Sequence, residues 1–313
     1  MKSILIVLLV LLAAGGTATA QSRTIAVTID DLPVVSTRSD LKNRREITKK
    51  LLGHIRKADV PAIGFVNENK LYKENKPDPE QVALLELWLK AGLELGNHTY
   101  SHRSLNAISL KDYQDDLLKG ETITSGLLAE HNRKIRFFRH PYLQTGRSME
   151  IKAEFAKFLA ANGYTIAPIT FDNADYIFSR AYDIAFDRKD RKLMKRVGEA
   201  YVPYMEAKLD YWERQSIKLF GREISQTMLL HANFINSDYF DDLARMMKKR
   251  GYSFISLEDA LKDEAYKLPD TYVGAAGISW LHRWARERGK EFIVTDEPFV
   301  PKFVLELSGF ESE

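Results

Sequence analysis

The chain has 313 residues, 45% hydrophobic and 28% charged, the composition of an ordinary soluble globular protein with ample core. Forty-six basic residues against 43 acidic ones leave a formal charge of only +3, too little to argue for nucleic acid, and no basic tract with interleaved aromatics occurs. The absence of cysteine excludes a disulfide scaffold, a lipid anchor on Cys and a thiolate metal site, so any transition metal must be held by imidazole and carboxylate.

Residues 1–20 read as a cleaved secretory signal. Lys2 precedes an apolar run from Ile4 to Ala14, and small residues stand at Ala18 and Ala20. The run is shorter than the roughly 20 residues a membrane span needs, so the expectation is a secreted or periplasmic protein without a stable membrane anchor.

Residues 24–29 alternate and then fill with β-branched side chains, as in a buried strand, and Asp30-Asp31-Leu32-Pro33 breaks the run at an acidic pair. Leu41, Ile47, Leu51, Leu52 and Ile55 lie at helical spacing over 41–57, and Pro61 opens a second strand at 62–66. A helix at 79–91 ends at Gly92 in the position of a C-terminal cap, and 93–95 starts a strand that delivers His98 and His102. One amphipathic helix is expected over 110–130. A short strand, 134–138, then runs into Arg139-His140-Pro141-Tyr142.

The alternation continues with a helix at 148–162, a cap at Gly163 and a strand at 164–169 leading to Asp172, Asp175 and Tyr176. Leu193, Val197, Tyr201, Met205, Leu209 and Trp212 mark one face of a long helix over 187–220. A strand at 226–230 ends at His231, followed by a helix at 237–250 and a last strand at 252–255. Beyond Leu261 the pattern weakens, with a helix inside 277–289 around Trp280, Leu281 and Trp284 and a tail, 292–310, apolar enough to pack back on the body.

Strands alternating with helices imply mainly parallel pairing. Asp30-Asp31, His98, Arg139, Asp172 with Asp175, and His231 all fall at carboxyl ends of strands, which favours a barrel whose polar residues converge on one mouth. Two imidazoles four positions apart suit ligands of one cation, and the acidic pair is the best source of a third. No linker or repeat divides the chain, so residues 21–313 are expected to form a single catalytic domain, with a helical insertion at about 177–225 and a C-terminal extension at about 264–313.

Taken together, Asp30-Asp31, His98-x3-His102, Arg139-x-Pro141-Tyr142, Asp172-x-x-Asp175 and Leu229-x-His231 stand in the order seen in the polysaccharide deacetylases. The chain resembles this family, the NodB-homology or carbohydrate esterase family 4 enzymes, over roughly residues 24–257. The resemblance implies an α/β fold, a distorted (β/α) barrel. It implies a hydrolase that removes N-acetyl, or secondarily O-acetyl, groups from a glycan; the alternatives are a metal-dependent amidase of the same superfamily acting on a small non-sugar C–N bond and a catalytically inactive glycan-binding protein. It also implies a divalent metal, usually zinc with cobalt or nickel as substitutes, on Asp31, His98 and His102. Asp30 would then be the general base, Arg139 its orienting partner, His231 the general acid and Asp175 the partner of His231.

Tyr142 matches the position whose backbone N–H faces the oxyanion. Pro141, Tyr176 and Leu229 fall where the substrate is bound, Leu229 against the acetyl methyl. Two positions depart from the family pattern: Leu32 stands where a glycine usually follows the acidic pair, leaving Pro33 to supply the bend, and Tyr176 stands where tryptophan is common. Tyr201, Tyr204, Tyr211 and Trp212 of the long helix are read as a packed apolar face in preference to a set reaching over the cleft. His54, His131 and His282 match no motif and are read as surface or structural.

Overall fold

The computed structural model of the protein describes residues 23–290 and 295–313; the expected signal at 1–20 lies outside the described residues. The chain opens with strand β1 (Arg23–Leu32), whose Ile25, Val27 and Ile29 are almost wholly buried. Helix α1 (Leu41–Ala58) follows, started by Asp40, whose side chain accepts the Asn43 N–H. Strand β2 (Ile63–Val66), a 3-10 turn at Glu68–Leu71 and a small hairpin of β3 (Tyr72–Lys73) and β4 (Lys76–Pro77) lead to α2 (Pro79–Lys90). There Asp78 caps the first turn and Pro79 occupies the position where a missing N–H costs nothing.

Strand β5 (Glu94–Asn97) precedes two helices, α3 (Leu110–Lys119) and α4 (Thr122–Glu130), where one was expected. The break has a packing cause. A Cβ on Gly120 would meet Thr99 C and Tyr100 N at 2.6 Å each, so the end of α3 abuts the backbone that carries the histidine pair. The new helix start is capped from a distance by the buried Glu68 carboxylate, which accepts from Ile123 N at 2.6 Å and Thr124 N at 3.1 Å.

Strand β6 (Phe137–Phe138), helix α5 (Met149–Ala161) and strand β7 (Thr165–Ile166) continue the alternation with shorter strands than the apolar runs suggested. Helix α6 (Asp175–Asp187) precedes the 30-residue α7 (Arg191–Phe220), so the insertion contains a second helix not expected from sequence. Strand β8 (Gln226–His231), helix α8 (Phe234–Lys249) and strand β9 (Tyr252–Phe254) complete the sheet. Short α9 (Leu257–Ala260) follows, and the C-terminal extension holds α10 (Trp280–Glu287) and α11 (Lys302–Ser308). Among the described residues no helix is long and apolar enough to cross a membrane.

The main sheet runs β7-β6-β5-β2-β1-β8, with β9 beside the start of β1, and every pair is parallel. It curls into a half-barrel of the expected α/β type. The chain leaving β7 spans the gap between the sheet's edges: Ala167 N donates to Phe138 O on one side, and Phe171 N donates to Thr227 O on the other. This single segment therefore ties β6, next to the β7 edge, to β8 at the other edge and brings the strand ends to one rim.

Candidate active site and metal centre

Asp30 and Asp31 sit on a β-bulge. The register of β1 on β2 advances from Ile29↔Gly64 to Leu32↔Val66, three residues against two, and Asp31 takes a left-handed φ of 69°. On a regular strand the two carboxylates would point to opposite faces; the extra residue turns both to the rim. The bend expected of Pro33 is thus made one step earlier, by Asp31 itself. On its other side β1 stays in register with β8 through Asp30↔His231, which sets the expected base beside the expected acid.

The histidines lie in a loop, shaped by left-handed backbone at Thr99 (φ 64°) and His102 (φ 55°). Asp116 on α3 pins this loop, accepting Ser101 N at 3.1 Å and Ser101 Oγ at 2.7 Å. His98 is buried and its Nδ1 lies 2.8 Å from the Arg139 carbonyl oxygen, so Nδ1–H donates there and Nε2 keeps its lone pair for a cation. Nε2 of His98 lies 4.0 Å, and Nε2 of His102 3.6 Å, from Asp31 Oδ1. One ligand atom from each of Asp31, His98 and His102 falls within 4.8 Å of the others.

Electrostatics suit this grouping. Burial and the neighbouring His102 push His98 well below the usual imidazole range, and burial lowers His102 as well; both rings are neutral and free to ligate. Burial tends to raise Asp31, but Lys70 and then the surrounding imidazoles hold its carboxyl well below the usual range. Lys70 also donates to Asp31 O at 2.9 Å, fixing the bulge. Two nitrogens and one carboxylate oxygen, with no other ligand closing the set among the described residues, fit a divalent cation that keeps an open position.

Burial raises the neighbouring Asp30 to about 6, against the opposing pull of Arg139. Its Oδ2 accepts from Arg139 Nη1 at 3.4 Å and lies 3.7 Å from His98 Nε2, while buried Oδ1 has no partner among the described residues. Arg139, fully buried, also donates to Thr28 Oγ1 at 2.9 Å and lies over the Phe65 ring, which fixes its guanidinium. The Asp30 carboxylate is therefore aimed from behind, with one oxygen left for a proton.

Asp175, buried at the first turn of α6, accepts from His231 Nδ1 at 2.6 Å, His231 N at 2.9 Å and Asn236 Nδ2 at 2.6 Å. Partial burial works to lower His231, but Asp175 outweighs it and the imidazole is raised to about 9. Nδ1–H of His231 is thereby fixed on Asp175 and Nε2 is the atom left to carry a transferable proton. Helix α7 supports this turn: Trp212 Nε1 donates to Asp172 O at 2.7 Å, Ala174 N to Tyr204 Oη at 3.0 Å, and Tyr201 Oη to Asn236 Oδ1 at 2.6 Å. Tyr201, Tyr204, Tyr211 and Trp212 are all buried, so they are scaffold and do not reach over the cleft. His282, with Tyr211 Oη at 2.7 Å from its Nε2, is likewise structural.

Asp30, Asp31, His98, His102 and His231 open on one cavity of about 910 Å³, with Arg139 and Asp175 buried behind its wall. Tyr142, Leu229 and Tyr176 line it as expected, Tyr142 with a left-handed φ of 57° and its ring 4.5 Å from that of His102. Pro141 does not: it is buried at the start of the short turn and is absent from the cavity wall. Its role is to shape the turn that presents Tyr142.

Sequence reasoning missed His140, Lys208, Glu297, Phe299, Phe310 and Glu313, which also line the cavity. His140 was in view inside the Arg139 motif. The others carry no motif, because they reach the rim through tertiary packing of the insertion and the C-terminal extension.

Residues 17–167 match the family model described as polysaccharide deacetylase. No curated protein is significantly similar in sequence. Among solved structures, a mutant CE4 family pseudoenzyme with restored enzymatic activity is 18% identical, with 77% of this chain and 68% of that one covered at a TM-score of 0.51. The wild-type CE4 family pseudoenzyme from Bacillus anthracis is 16% identical over 77% and 66%, TM-score 0.48. The peptidoglycan deacetylase PdaC from Bacillus subtilis is 17% identical over 77% and 93%, TM-score 0.48.

Proposed function

Residues 17–167 belong to the polysaccharide deacetylase family, and from this premise we propose that the protein is a metal-dependent hydrolase removing N-acetyl, or secondarily O-acetyl, groups from a glycan of the chitin or peptidoglycan type. The observation that carries the reading is the meeting in one cavity of Asp30, the Asp31–His98–His102 set and His231, the last held from behind by buried Asp175.

Asp31, His98 and His102 would hold the cation, zinc by preference for two imidazoles and a carboxylate. When bound it supplies Lewis acidity toward the acetyl carbonyl and toward water. The chain's own residues do the proton work. Asp30 Oδ1 takes the proton of the attacking water, with Arg139 holding the carboxylate ionised and aimed. The backbone turn at Tyr142 faces the developing oxyanion. His231 Nε2 delivers its proton to the departing nitrogen, and Asp175 stabilises the imidazolium until then. The apolar wall at Leu229 takes the acetyl methyl. Acetate and the free amine leave.

Structural relatives include pseudoenzymes, so a glycan-binding protein without turnover is the second reading. The full set of acids, histidines and arginine present here supports catalysis. The leader pattern of residues 1–20 supports action outside the cytoplasm. Acetate release from acetylated chito-oligosaccharides, peptidoglycan fragments and acetylated xylan is the test, run beside Asp30→Asn. Turnover by the native chain and a loss of about 10²–10⁴ in kcat for Asp30→Asn, with metal content retained, is expected. Native-level turnover by Asp30→Asn would falsify the assigned base; no turnover on any substrate with metal bound leaves the binding reading.

A further inference from the structure

Resting on the glycan reading above, we propose that residues 295–313 are a substrate-binding element: Phe299 and Phe310, beside Tyr176, form an aromatic subsite for an uncharged sugar ring adjoining the one that carries the acetyl group. The segment lies outside the residues that match the family model, and whereas its Phe303 packs on the core, Phe299 and Phe310 stay exposed. Five aromatic residues are exposed among the described residues, and four of them, Tyr142, Tyr176, Phe299 and Phe310, line the same cavity as Asp30 and His231. Phe299 is 79% exposed, a large apolar surface left facing water at the edge of a site.

The platform is held, which makes it suited to binding. Val300 and Val304 are buried in the body. Glu297 and Glu313 both pair with Nζ of Lys208, itself 2% exposed on α7. Glu313 also accepts from Tyr204 Oη at 2.8 Å and from Val300 N at 3.0 Å. Detaching the segment would strip a buried ammonium of both its partners, so the rings stand preorganised, with the edge of Phe310 against Tyr176 at a centroid distance of 5.4 Å.

The chemistry of the wall selects the occupant. Apolar rings meet the C–H face of a pyranose, while the carboxylates of Asp172, Glu297 and Glu313 line the same cavity and accept from hydroxyl groups. Lys208 offsets part of this charge, but the acids lining the cavity outnumber Lys208 and Arg180, which disfavours an anionic sugar.

The test is calorimetric binding of N-acetyl chito-oligosaccharides, from the monosaccharide to the pentasaccharide, to Asp30→Asn protein with and without Phe299→Ala, Phe310→Ala and Phe310→Leu. For the alanine variants Kd should rise roughly five- to twentyfold for the oligosaccharides and less than about twofold for the monosaccharide, with Phe310→Leu in between. An acidic uronic oligosaccharide should bind at least about tenfold more weakly than the neutral one of equal length. Equal losses for monosaccharide and oligosaccharide, or no loss for any variant, overturn the subsite. The function reading stands or falls separately, on acetate release by the native chain.

Discussion

Asp30 and Asp31 are neighbours in the chain with opposite electrostatic fates: burial raises the first to about 6, whereas Lys70 and three imidazoles hold the second low. The same pairing of burial and partner governs His231. Its folded pKa of about 9 exceeds the ordinary 6.5, with Asp175 overcoming partial burial. A group raised on folding contributes stability that is complete below about 6.5 and is lost as pH climbs through about 9. Asp175→Asn removes that contribution, so the gap in Tm between native and variant proteins should be widest at or below pH 6.5 and narrow toward pH 9. The kinetic counterpart, on the proposed hydrolytic function, is an alkaline limb of kcat near 9 in the native protein that moves at least one pH unit lower in the variant. A limb that stays in place would remove Asp175 from its assigned role. Asp30, Asp31 and His231 were legible in the sequence because they fall at the ends of strands β1 and β8, and Asp175 because it opens the helix after a strand-like run. The orphaned Oδ1 of Asp30 and the tautomer of His98 were not, since both depend on Arg139 arriving from β6.

The strands and most helices could be read from periodicity, but two errors share a physical origin. Helix α6 buries the polar Asp175, Ser179 and Asp183 among Ile177, Phe178, Ala181, Tyr182 and Ala185 and leaves Tyr176 and Phe186 exposed, so its sequence mixes polar and apolar residues on both faces. The break between α3 and α4 depends on a loop that Gly120 touches only in the folded chain. The extension after β9 was the least legible part, and it proves to support the centre. Arg283 on α10 donates to Leu143 O and to Thr145 Oγ1, holding the turn that follows Tyr142. Gly277 lies so close that an added Cβ would stand 1.7 Å from Tyr142 O. Gly277→Ala must therefore displace that turn. A destabilisation of about 1–3 kcal/mol is expected, together with a fall of roughly ten- to hundredfold in kcat if the Tyr142 turn is the oxyanion donor proposed above. Circular dichroism and acetate release on the same preparation check both; unaltered kcat would mean that the turn takes no part in the reaction.

Across the whole molecule, the site joins segments that only the curled sheet brings together: Asp31 from the first strand, the histidine loop after β5 and, around them, Arg139 from β6 and His231 from β8. A cation held by Asp31, His98 and His102 ties the end of β1 to the loop after β5, two places the unfolded chain keeps 67 residues apart by the numbering of Asp31 and His98. Because an unfolded chain holds no such preformed set, binding is linked to folding. At a free metal concentration about a hundredfold above Kd the linkage is worth about 2.7 kcal/mol. At roughly 2 °C per kcal/mol for a chain of this size, that is a rise of about 5 °C in Tm. Zinc added to chelated protein should produce this shift, and Asp31→Ala or His98→Ala should abolish it. Asp30→Asn should keep it, since Asp30 lies beside the ligand set without belonging to it. A shift that survives loss of Asp31 would place the cation elsewhere, and a shift lost with Asp30 would make that residue a ligand instead of a base.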